Sequence, residues 1–263
     1  MTDPRRPFYI IAHNPDSIGE LKQVLDEGAN ALEPDVCFDG AAWDDFNVRD
    51  RWTFAPGFLS RAIYSDPPLR TYLRALVASL NARTPHNLAL LAFDLKQPFH
   101  HDINIFFRIV EEEFSVYFPD VPVMASVGVP RGLRMLARRV HPGSNEALGI
   151  DEGISQKRAD RIAKQFPTPF VFGIGTSVPL VPTTIYLPRI AKAIKYRDRG
   201  NSFRMVYPWT VNSEASMRRF LDLEGRIDGM ITDHPALLRK LIESAPYNTL
   251  YRIATAEDSP FRR

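Results

Sequence analysis

The chain has 263 residues, 44% hydrophobic and 24% charged, with a formal net charge of +2. This composition suits a packed globular domain and offers no electrostatic case for nucleic acid, so the basic runs "RGLRMLARRV" and "IAKAIKYRDRG" read as solvated helix faces. The single cysteine, Cys37, excludes an internal disulfide framework and zinc sites built on several cysteines; no apolar run reaches the ~18 residues of a membrane span, and the first residues carry too short an apolar run for a secretory leader. A cytoplasmic location is expected unless a leader was removed.

Taken in chain order, short apolar runs rich in β-formers alternate with longer runs of helical periodicity. The expected strands are "PFYIIAH", "ALEPDVC", "NLALLAFDL", "VPVMASV", "NEALGID", "PFVFGIG", "FRMVYPWTV" and "DGMITD". Each precedes a plausible helix: "SIGELKQVLDEG", "LRTYLRALVASLNA", "INIFFRIVEEEFSVYF", "RGLRMLARRV", "SQKRADRIAKQF", "IYLPRIAKAIKYRDRG", "EASMRRFLDLEG" and "PALLRKLIES". Eight such units without a linker or repeat predict an α/β fold, a (β/α)8 TIM barrel forming one domain over residues 1–263. Pro34 is awkward in a strand centre, so the second strand is expected to end near it. The stretch from Gly40 to Pro68 lacks periodicity and is long for a loop, which suits a functional lid.

Barrel sites lie at the C-terminal ends of the strands, and residues two apart on a strand share a face. The polar residues to weigh there are His13, Glu33, Asp35, Asp94, Lys96, Asp151, Tyr207, Trp209 and Asp233. Taken singly, each suits a structural role, such as a packed histidine, a helix-capping aspartate or a core aromatic. Taken together, Glu33, Asp35 and Asp94 come from adjacent strands and would repel one another unless a hard cation accepts them as oxygen ligands. Mg2+ fits this set best, with Ca2+ and Mn2+ also open. An imidazole such as that of His13 suits proton transfer near neutral pH.

These residues resemble a known family. "AHNPDSIGELKQVLDEGANALEPDVCFD" is similar to the opening of the sphingomyelinase D group, the phospholipase D toxins of spider venoms and their bacterial and fungal relatives, within the glycerophosphodiester phosphodiesterase-like superfamily. The match comprises His13, "GAN" at 28–30, Glu33 and Asp35. "AFDLK" resembles the third-strand motif, which implies a metal carboxylate at Asp94 and a phosphate-facing lysine at Lys96. "VYPWTVN" resembles the family's "VYYWTVD" and implies that Tyr207 and Trp209 flank substrate. "GMITDHP" implies a phosphate-binding role for Asp233. "ATAEDSPF" resembles the tail "ATxxDNPW" that seals the barrel bottom in the toxin-like branch.

The resemblance implies a magnesium-dependent phosphodiesterase or lyase of the phospholipase D type, acting on sphingomyelin or lysophospholipids through transient contact with a membrane or micelle, with a cyclic phosphate among the products open to it. The ligands would be Glu33, Asp35 and Asp94, with His13 and Lys96 as catalytic groups. One departure stands out: the family's second catalytic histidine has no counterpart between His13 and His86, and the count from Asp35 reaches Val48 or, with one insertion, Arg49. Arginine does not exchange protons near neutrality. His100 or His101, just past the third strand, is open as a replacement. The alternatives are a catalytically impaired phospholipid-binding barrel and a glycerophosphodiesterase acting on soluble diesters.

Overall fold

The computed structural model describes residues 3–38, 46–48, 67–96, 103–127, 136–137, 145–150, 156–165, 169–176, 181–259 and 261. The barrel strands are β1 (Arg6–His13), β2 (Ala31–Glu33) continued by β3 (Asp35–Phe38), β5 (Leu90–Leu95), β6 (Val123–Ser126), β7 (Glu146–Ile150), β8 (Phe170–Gly175), β9 (Phe203–Trp209) and β10 (Gly229–Thr232). A short β4 (Phe46–Val48) pairs antiparallel with β3; the lid expected over 40–68 otherwise lies largely outside the described residues. The order β10-β1-β2-β5-β6-β7-β8-β9 follows the chain, with every neighbour parallel. Between β9 and β10 the circle is completed by Asp228 N donating to Val206 O at 3.0 Å and Val211 N to Ile231 O at 2.9 Å.

The helices that cover the sheet are α1 (Ile18–Asp26), α2 (Leu69–Asn81), α3 (Ile103–Val110), α4 (Gln156–Ala163), α5 (Leu187–Asp198), α6 (Glu214–Leu221) and α7 (Pro235–Ile242). Local chemistry explains their starts. Ser17 accepts from Glu20 N while Glu20 returns a bond to Ser17 N, a capping box that opens α1 just past the first strand. Gly28, at φ +88°, turns the chain out of α1 through a backbone region that side-chain-bearing residues avoid. The helix expected over 131–140 lies largely outside the described residues.

Period-two alternation sorts the strands into two faces. Outward residues such as Phe8, Ile10, Leu32, Leu91 and Phe93 pack with the helices. Inward residues Tyr9, Ile11, Ala31, Leu90, Ala92, Met124, Ala147, Val171, Met205, Tyr207 and Ile231 fill the barrel itself. Ala254 and Phe261 of the tail join that interior set, and β11 (Tyr251–Ile253) pairs with the start of β1. The sealing role expected of the tail has this form: Tyr9 Oη donates to Asp258 O at 2.9 Å and Ser259 Oγ to Asn145 Oδ1 at 2.6 Å. The "GAN" asparagine, Asn30, is buried and stitches the same end, accepting from Ile10 N at 2.6 Å and donating to Phe8 O and Ala254 O.

The second strand ends at Glu33, beside Pro34 as expected, and the chain resumes pairing one residue later as β3, because Pro34 has no N–H for the ladder yet its carbonyl still accepts from Asp94 N at 3.1 Å. The break is what carries Asp35 onward beside the next strand.

Candidate active site

The inward rows of the barrel, followed one step past their last apolar residue, turn polar together. Beyond Ile11 comes His13, beyond Ala31 comes Glu33, beyond Ala92 comes Asp94, and beyond Tyr207 comes Trp209. The ladder register sets His13 beside Glu33 and Asp35 beside Asp94, so adjacent strands deliver these groups at one level. The alternation that builds the core therefore also builds the mouth.

Glu33, Asp35 and Asp94 each offer a carboxylate oxygen within 4.8 Å of the others. Glu33 and Asp35 are buried, where ionised carboxylates are costly unless compensated. Lys96 Nζ supplies one compensating charge, lying 2.9 Å from Asp35 Oδ1 and 2.5 Å from Asp94 Oδ2. Burial works against that ammonium, but the charges of Asp94, Asp35 and Glu33 outweigh it and raise the lysine pKa. The Asp35 pKa rises as well: burial, reinforced by the charge of Asp94 and opposed by Lys96, pushes it up to about 7. Asp35 Oδ2 is buried with no hydrogen-bond partner among the described residues. Three carboxylates against one ammonium, with an unused buried oxygen, make a donor set that fits a hard divalent cation.

His13 Nδ1 lies 2.7 Å from Asp233 Oδ1. Burial tends to raise the Asp233 pKa, but the hydrogen bond and charge of His13 together with Asn212 bring it below the usual aspartate value. Asn212 holds Asp233 from both sides, donating to its carboxylate and accepting from its backbone N–H at 2.9 Å. Trp209 is half-buried at the end of β9, and its backbone runs so close to Gly175 that any Cβ there would meet the Trp209 carbonyl. Tyr207 lies one layer lower, fully buried in the barrel interior.

Three residues of this mouth were not singled out in the sequence. Asn14 has φ 45°, a conformation that asparagine tolerates, and with its amide nitrogen turned to the acceptor-only carboxylates it reaches Asp35 Oδ1 at 3.1 Å and Glu33 Oε2 at 3.2 Å. Asp16 Oδ1 accepts from Asp35 N at 2.9 Å and so fixes the strand that follows Pro34. Asn212 completes the set. Asn14 and Asp16 stand inside "AHNPD" and Asn212 ends "VYPWTVN", so their positions beside motif residues were the available signal. Arg49, His100 and His101, the open positions for a second proton-transferring group, and Asp151 lie outside the described residues.

A parallel barrel of eight strands with an acidic cluster and a carboxylate-bound histidine at its C-terminal mouth defines the class. Two structures of a calcium-dependent phosphoinositol-specific phospholipase C from a Pseudomonas species share this fold, at TM-scores of 0.59 and 0.61 with 11% identity, covering 89–90% of this chain and 92–93% of theirs. Among curated proteins, dermonecrotic toxin LarSicTox-alphaIII1 of Loxosceles arizonica is 26% identical across 96% of this chain and 98% of the toxin. Dermonecrotic toxin LiSicTox-alphaII1 of Loxosceles intermedia is 24% identical across 98% of this chain and 90% of the toxin. The family model for dermonecrotic toxin SPH matches residues 3–104 and 132–261. The chain belongs to that family, the sphingomyelinase D group its motifs resemble.

Proposed function

We propose that this chain is a phospholipase D-type phosphodiesterase that acts on choline-bearing sphingolipids or lysophospholipids with Mg2+ held by Glu33, Asp35 and Asp94. The observation that carries the reading is the convergence of those three carboxylates beside the His13–Asp233 pair, in a chain of the dermonecrotic toxin SPH family. When bound, the cation supplies charge neutralisation at the phosphodiester.

The protein's own groups supply the rest. With Nδ1 engaged by Asp233, the Nε2 of His13 is the nitrogen that meets substrate, and the Nδ1–H donated to the carboxylate leaves an acceptor at Nε2 in the neutral ring. His13 therefore takes the proton of the attacking hydroxyl at Nε2; that oxygen bonds to phosphorus as the bond from phosphorus to the head-group oxygen breaks, and the protonated imidazole, directly or through water, returns the proton to the departing alcohol. Lys96, already turned toward Asp35 and Asp94, places a positive charge where a phosphate oxygen meets the cluster. Trp209 offers an aromatic wall suited to a quaternary ammonium, with Tyr207 packed beneath it. Asp233 acts as a positioning residue for the imidazole and leaves phosphate binding to the cation and Lys96.

Phosphorus NMR of the purified protein with sphingomyelin, lysophosphatidylcholine and glycerophosphocholine, each with and without Mg2+, tests the reading. A cyclic or monoester phosphate formed from either lipid only with the cation is the expected result, and His13→Ala should slow it roughly 10²-fold or more. Turnover confined to glycerophosphocholine would make the chain a glycerophosphodiesterase. Lipid binding without any product would make it a binding barrel.

A further inference from the structure

The opposite end of the barrel carries a cavity of about 610 Å³ that the chemistry at the mouth does not use. Arg5, Arg6, Arg204, Arg226, Asp228 and Asp258 line it, a surplus of two positive charges. These residues precede or begin β1, β9 and β10 or belong to the tail, so the cavity lies about 20 Å from His13, the length of β1 at roughly 3.3 Å per residue.

The surplus falls on particular side chains. Asp3 pairs with Arg5 at 2.6 Å and with Arg252 at 3.7 Å, and Asp258 binds Arg252 at 2.6 Å. Asp228 binds Arg6 at 2.5 Å and Arg197; Asp198 binds Arg197 at 2.7 Å and Arg6 at 3.6 Å. Every one of these carboxylates is engaged by Arg5, Arg6, Arg197 or Arg252. Arg204 and Arg226 are left with no carboxylate partner among the described residues, and both line the cavity. Arg204 is exposed on β9, while Arg226 is held in place by a left-handed backbone at φ 61° and by donation from Nη1 to Leu250 O at 3.1 Å. A left-handed conformation at a non-glycine residue costs free energy and here aims a guanidinium at an open cavity.

We propose that this cavity is a second, non-catalytic site for a phosphomonoester, whose two negative charges match the surplus of Arg204 and Arg226. Guanidinium groups bind phosphate oxygens through paired N–H donors, and the cavity is large enough for the group that bears the phosphate. A phosphodiester, with one charge, matches less well. The ligand has two sources, a soluble sugar or glycerol phosphate and a membrane lipid ending in a monoester.

The test uses the full chain carrying His13→Ala, so that lipid turnover is slowed roughly 10²-fold or more. Calorimetry with glycerol 3-phosphate in chelator probes the soluble source, and sedimentation with phosphatidylcholine vesicles, plain or containing phosphatidic acid, probes the membrane source. The added variants are Arg204→Glu, on an exposed side chain with no carboxylate partner among the described residues, and Arg226→Asn, which keeps a residue tolerant of positive φ. At least one probe should bind, and Arg204→Glu should weaken it by about tenfold or more. Binding of glycerol 3-phosphate alone assigns a soluble ligand; binding only of vesicles with phosphatidic acid assigns a lipid. Equal binding by wild-type and both variant sites, or no binding of either probe at about 10 mM phosphate, overturns the proposal. Neither result depends on the activity assigned to the mouth.

Discussion

The two ends of this barrel both gather charged side chains, and they treat them oppositely. At the C-terminal mouth, three carboxylates share one lysine, Asp35 keeps a buried oxygen without a hydrogen bond among the described residues, and the cost of burying its charge is increased rather than relieved by Asp94. At the N-terminal end, Asp228 is saturated: it accepts from Arg6, Arg197 and Val206 N, and its backbone bonds to β1 and β9. Under-compensated charge in a concave site is a cost that a ligand removes, whereas compensated charge ties strands together. The mouth should therefore govern activity with little effect on stability, and Asp228 the reverse. Arg204 and Arg226 are the place where the lower end departs from its own pattern.

The largest expected effect is on chemistry at the mouth. Asp35→Asn and Asp94→Asn should each weaken Mg2+ binding and lower turnover roughly 10²-fold or more, while the melting temperature in chelator stays close to wild type. Titration calorimetry and phosphorus NMR check the first half, and a thermal scan the second. Unchanged Mg2+ affinity in both variants would remove the metal site.

Next in size is the loss of the strand tie. Asp228→Asn leaves the buried Arg197 and the half-buried Arg6 without their shared anion and should cost about 3–5 kcal/mol in urea unfolding, with Mg2+ affinity unaltered. A cost below about 1 kcal/mol would show that the ion pairs at this end do not hold the closure between β9 and β10.

The smallest effect is a pH dependence in the tail. Burial tends to raise the Asp258 pKa, but hydrogen bonds from Arg252 and the Thr255 backbone outweigh it and bring it below the ordinary value. A depressed folded-state pKa means that the unfolded chain takes up the proton first. The stabilisation is then complete above the unfolded value near ~4 and lost as pH falls through the folded one. Asp258→Asn should lower the melting temperature at pH 6 and converge on wild type as pH falls from there through the folded value. A gap that stays constant over that range would assign the tail's contribution to Ala254 and Phe261 rather than to the ion pair.

Much of this was legible in the chain before any tertiary contact was known. Strand and helix periods are local properties, so "NLALLAFDL" and "LRTYLRALVASLNA" declare their elements, and alternation along a strand also says that His13, Glu33 and Asp94 share a face with apolar residues below them. The sphingomyelinase D motifs follow from the same stretches, and the family match agrees with them. What the residues could not declare is which partner each polar group finds. That Lys96 spans Asp35 and Asp94, that Asp233 binds His13 from the far side of the chain, and that Asp228 joins β1 to β9 depend on the register of parallel strands whose pairings are distant in sequence. Pro34 shows the limit most clearly: its missing N–H predicts a break in pairing, but whether the strand stops or resumes depends on the acceptor and donor that β5 presents. Residue type and period decide the elements and the chemistry available. Only the closed sheet decides which charges meet, because compensation is a property of pairs.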